Sequence, residues 1–135
     1  MYVLRRFREA LVPDGIVLDL QVIRPHPKVE VNGQLLCEAD GSSLFESADA
    51  ARDAVDQLIL QGLLAEEATD DHDVLQHYET GAALVQDWEP KQRQLPAEAI
   101  ARLGKIKSET VVRERCRLRR LRRVDPPPSE VREGV

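Results

Sequence analysis

Two groups of residues in this chain carry types and spacings that could do chemistry. Arg24 and His26 alternate with prolines in Arg24-Pro25-His26-Pro27. They pair a permanent cation with an imidazole that can give or take a proton, which suits contact with a substrate. Further on, Arg113, Arg115, Arg117 and Arg119 recur at every second position. A guanidinium makes paired hydrogen bonds to phosphate or carboxylate, so these four are candidate anion-binding residues. His72 and His77 stand among Asp70, Asp71 and Asp73. Their five-residue spacing puts them on opposite faces of a strand, so the segment reads as a solvated acidic turn and no metal site is expected. Cys37 and Cys116 match no ligand spacing and read as small core residues. No Ser-His-Asp or Cys-His set can be assembled, so no catalytic residue is assigned.

The elements that must position these groups follow from periodicity. Val3, Leu4, Phe7, Ala10 and Leu11 share a helical face, and Pro13 with Gly15 ends that helix in a turn. Ile16 to Ile23 reads as a strand, with Ile16, Leu18, Leu20 and Val22 as its core face. The prolines at 25 and 27 break it just before His26 can join. Asn32-Gly33 predicts a two-residue hairpin that sets Val31 opposite Gln34 and Val29 opposite Leu36. Ser47 can cap a helix running to about Gln61, burying Ala51, Val55, Leu58 and Ile59, with Gly62 after its end. Leu63 to Ala68 and Val74 to Glu79 read as two short strands around the acidic turn. Thr80 caps a helix that buries Leu84, Val85 and Trp88 and that Pro90 limits. Pro96 opens another, with Ile100 and Leu103 buried. Glu109 to Val124 is the last strand: Val112, Cys116 and Leu118 point inward, the arginines outward, and the alternation slips at Arg120-Leu121.

This order predicts an α+β domain over residues 1–124, with a mixed, mostly antiparallel sheet and helices packed on it. Residues 125–135, rich in proline, are expected to be disordered. At 135 residues a single core is adequate without metal or disulfide staples, and with 4% aromatics it must be mainly aliphatic. No signal peptide or membrane span is visible, so a cytoplasmic protein with no membrane partner is expected. The net charge of -5 conceals two blocks. Residues 38–73 hold eleven acidic side chains against one arginine, and residues 105–123 hold nine basic side chains against two glutamates. Side by side, the blocks would neutralise each other.

Glu9 to Leu20 resembles class I S-adenosylmethionine-dependent methyltransferases. In that family a helix ends in a Leu-x-Pro-Gly-Gly turn that launches the fifth strand of the sheet. The turn here is Leu11-Val12-Pro13-Asp14-Gly15, with Asp14 where glycine is usual. The resemblance implies that residues 2–124 form the C-terminal half of a Rossmann-like methyltransferase fold. The last strand, Glu109 to Leu121, would then lie between the Ile16 strand and the Val74 strand. The family's glycine-rich cofactor loop has no counterpart, because no Gly-x-Gly occurs in the chain. The resemblance therefore implies a half-domain with no cofactor of its own, S-adenosylmethionine entering only where a partner supplies the other half. It would be an accessory or assembly module, inactive alone. The missing neighbour of the Ile16 strand leaves an open edge, which a homodimer or a catalytic partner chain would close. In the monomeric alternative the hairpin folds back as cover. Two other readings remain: a binding protein that offers its arginine strand to nucleic acid or another anionic partner, and a methyltransferase site completed by a partner chain.

Overall fold

Pro13, Asp14 and Gly15 turn the chain from helical residues 8–10 into the first strand, with Asp14 in the left-handed region at φ 61°. The computed structural model describes residues 6, 8–89 and 94–125. Val3, Leu4, Phe7, Pro90 and the tail from residue 126 lie outside them. The described elements are β1 (Ile16–Val22), β2 (Lys28–Val31), β3 (Gln34–Glu38), α1 (Ser42–Leu60), β4 (Leu64–Tyr78), α2 (Gly81–Trp88), α3 (Ala97–Leu103) and β5 (Thr110–Arg123). The architecture is α+β with a mostly antiparallel open sheet. The strands pair in the order β1-β5-β2-β3, and β4 also pairs with β5.

The chain gathers into two compact units. The first comprises Met1–Asp19, Ala50–Asp70 and Leu118–Val135, and the second Leu20–Asp49 and Asp71–Arg117. Each has its own core. In the first, Val55 and Leu58 of α1 pack with Leu64 and Leu121, and Val17 joins them. In the second, Val29, Leu84, Trp88, Leu103 and Val112 form the buried cluster.

In the second unit the hairpin is as its sequence dictates. Asn32 and Gly33 take φ 53° and 78°, and Val31 faces Gln34. A register shift between Val29 and Glu30 then brings Val29 opposite Cys37, not Leu36. β2 runs antiparallel to β5, Val29 meeting Val112. The Thr80 side chain accepts from the Ala83 N–H at 3.1 Å and starts α2. Gly81 lets α2 approach α3 closely: a Cβ there would lie 2.3 Å from the Leu103 carbonyl oxygen.

Several expectations need correction. Ile16, Leu18 and Leu20 are exposed, and the Val17 side of β1 is the covered one. β4 is one fifteen-residue strand through Thr69–Asp73, not two strands about a turn, because arginines of β5 pair with its acids. α1 begins at Ser42, five residues before Ser47, and buries Phe45 and Ala48 as well as Val55 and Leu58. On α3 it is Ala99 that is buried with Leu103, while Ile100 is exposed. In β5 the burial phase shifts between Cys116 and Arg119, before the position expected.

Candidate functional site

Arg24 and His26 do come together, on one side of the second unit. Pro25 and Pro27 carry the chain out of β1 and into β2, and Pro27 is buried. Its carbonyl accepts from the Ala39 N–H at 2.8 Å, which draws the loop after β3 against it. The Gly41 N–H donates to His26 Nδ1 at 3.0 Å. Nδ1 is thereby the acceptor, so the neutral ring carries its proton on Nε2. Gly41 is required at this contact: a Cβ would come within 2.9 Å of Phe45 Cζ and 3.0 Å of Pro27 Cδ. Phe45 on the first turns of α1 is the floor for both side chains. The His26 ring lies 5.2 Å from it, tilted by 47°, and the Arg24 guanidinium stands 5.0 Å over it. Arg24 also makes a two-pronged pair with Asp49, at 3.2 and 3.0 Å. That hydrogen-bonded pairing raises its pKa above the ordinary guanidinium value.

Two open cavities adjoin this cluster. One of about 460 Å³ is bounded by Arg24, His26, Glu38, Phe45 and Glu46, the other of about 510 Å³ by His26, Glu38, Asp40, Ser42 and Gln94. Asp40 accepts from the Ser42 N–H at 2.9 Å, and its hydrogen bonds to Ser42 hold its pKa below the usual carboxylate range. The sequence reading found Arg24 and His26 but missed Phe45, Asp49 and Gly41. Only the isolated glycine in Asp40-Gly41-Ser42 hinted that a side chain must approach the backbone there. The cavities offer one imidazole N–H and several carboxylates, with the arginine already committed. Among the described residues no group of three or more His, Cys, Asp or Glu could hold a metal ion.

The arginines of β5 are placed against acids of their own chain. In the second unit Arg113 bonds Glu30 at 3.2 Å and Asp73 at 3.0 Å, Arg115 bonds Asp73 at 3.1 Å, and Arg117 bonds Asp71 at 2.8 Å. The arginine hydrogen bonds hold Asp71 and Asp73 below the ordinary carboxylate range. In the first unit the Arg119 guanidinium is buried and bonds Asp56 at 3.0 Å and Glu66 at 3.1 Å. Arg120 and Arg122 share Glu67, whose pKa their hydrogen bonds lower, Arg122 first. An incoming anion must therefore compete with a carboxylate already in place at each of the four candidate positions.

A third feature sets side chains expected in the core beside the open edge expected of β1. In the first unit Val12 is 71% exposed, Ile16 40% and Leu18 66%. The Arg123 N–H donates to the Gly15 carbonyl at 2.8 Å, fixing the antiparallel register of β1 on β5. Stepping along that ladder puts Ile16 opposite Arg122 and Leu18 opposite Arg120, on the side away from Val17 and Leu121. β1 stands at the end of the strand order, so its other edge has no partner among the described strands. Comparison with family models, curated proteins and solved structures finds no match. No helix among the described residues is long and apolar enough to cross a membrane.

Proposed function

We propose that this chain is an assembly module, a half-domain resembling the C-terminal half of class I S-adenosylmethionine-dependent methyltransferases, and that it works by joining a companion chain. The observation that carries this reading is the border of β1. An end strand with two exposed aliphatic side chains is costly to leave in water and prone to pair. Exposing Leu18 rather than burying it forgoes about 1.5–3 kcal/mol of hydrophobic stabilisation. A companion that covers this border recovers it. The order of elements supports the family resemblance: β5 pairs with both β1 and β4, and α1 precedes β4. The four candidate arginines support it by default, since Arg113, Arg115, Arg117 and Arg119 hold the chain's own carboxylates.

The module has no catalysis and no S-adenosylmethionine of its own. Calorimetric titration of the isolated chain with S-adenosylmethionine checks this: no saturable heat is expected. Stoichiometric binding that persists in the Leu18→Asp variant would overturn the reading, because the chain alone would then hold the cofactor.

A further inference from the structure

The exposed border of β1 in the first unit also states what kind of surface fits it. Ile16 and Leu18 project from the face of the sheet, not only from its edge, so cover must come from above. A packed helix or sheet lies about 10 Å away and meets such a face with an apolar stripe. The polar neighbours set the charge. Arg122 is balanced: its Nε bonds Glu67 at 2.7 Å, and its Nη1 donates to the Asp14 carbonyl at 3.1 Å. Arg120, beside Leu18, bonds Glu67 only through Nε, at 3.0 Å. A guanidinium carries five N–H donors, so the two terminal nitrogens of Arg120 remain open among the described residues. Its side chain is 49% exposed.

We infer that the first-unit face of β1 binds an amphipathic α-helix of a companion chain, whose apolar stripe covers Ile16 and Leu18 and whose carboxylate pairs with Arg120. This rests on the assembly reading and names the chemistry of the partner. A helix supplies apolar residues at i, i+3, i+4 and i+7 with acids on the flank, which matches a short two-strand patch bordered by one cation.

The test uses the full chain and two fluorescent helical peptides with identical leucine stripes, one flanked by glutamates and one by lysines. Fluorescence anisotropy is expected to show the glutamate peptide binding about tenfold tighter at low salt, the preference shrinking as salt rises. Leu18→Asp abolishes binding of both peptides, and Arg120→Gln removes the preference while binding through the apolar stripe persists. Circular dichroism of the variants confirms that these exposed changes leave the fold intact. Equal affinity for the two peptides, or indifference to Leu18→Asp, would overturn the inference. Light scattering separates the remaining occupant: dimers dispersed by Leu18→Asp, with neither peptide bound, would make the partner a second copy. That result overturns the acidic helix while leaving the assembly reading intact. The S-adenosylmethionine titration tests that reading independently.

Discussion

Arg119 offers a perturbation whose sign can be worked out atom by atom. Its side chain is 7% exposed, whereas its partners Asp56 and Glu66 are 54% and 36% exposed. The guanidinium is therefore the desolvated member of the trio, and each carboxylate can turn to water if the arginine leaves. Arg119→Met keeps the aliphatic stem against its neighbours and releases two hydratable acids. Its cost is the lost charge-assisted bonds less the regained hydration, about 1–2 kcal/mol. Removing both acids, as Asp56→Ala with Glu66→Ala, strands a buried cation, which costs about 3–5 kcal/mol. The double acid variant is thus expected to be the less stable, by about 2 kcal/mol. Urea unfolding followed by circular dichroism gives both values. If Arg119→Met is as destabilising as the double variant, the guanidinium is not the buried partner, and the reasoning from relative exposure fails.

Three further outcomes follow from the geometry. Asp71, Asp73 and Glu67 have folded-state pKa values below their ordinary range, so the stability they contribute is present above that range and lost as pH falls through the lowered values. Thermal melts are expected to be flat with respect to these acids above about pH 5 and to decline below about pH 4; Asp71→Asn with Asp73→Asn makes that decline shallower. Gly81→Ala would push a Cβ into the Leu103 carbonyl, and an α2–α3 separation costing about 1–3 kcal/mol is expected in unfolding experiments, where a neutral result would deny the close approach. His26→Ala leaves the buried Gly41 N–H without its acceptor and removes the ring from Phe45, a loss of about 1–3 kcal/mol; His26→Asn, which can still accept, is expected to recover part of it.

Local chemistry was legible where one or two residues decide the backbone. Asn32-Gly33 specified its turn because both positions take positive φ, and Thr80 specified the start of α2 because its hydroxyl meets an orphan N–H. What the alternation of β1 could not reveal is which face the rest of the chain covers. Ile16, Leu18 and Leu20 read as core because they are the more apolar set, yet Val17 has the neighbours. Thr69–Asp73 read as a turn because a run of acids disfavours a lone strand. Arginines more than forty residues away reverse that preference, and no local window contains them. Ser42 and Ser47 are both competent helix starts. The choice fell to the earlier one because Phe45 and Ala48 find burial, and that same extension puts Phe45 under Arg24 and His26. The cleft was thus half legible: Arg24 and His26 follow from the strand's end, and its aromatic floor depends on where a helix begins.

The most direct trial of the assembly surface is the labelling rate of a thiol at position 18. Leu18→Cys in the intact chain should react with a maleimide as a free surface thiol does, and the glutamate-flanked helix at saturation should slow it about tenfold while leaving a Val17→Cys control unchanged. Slow labelling of the isolated chain, or labelling that the helix leaves untouched, would contradict a docking face on β1.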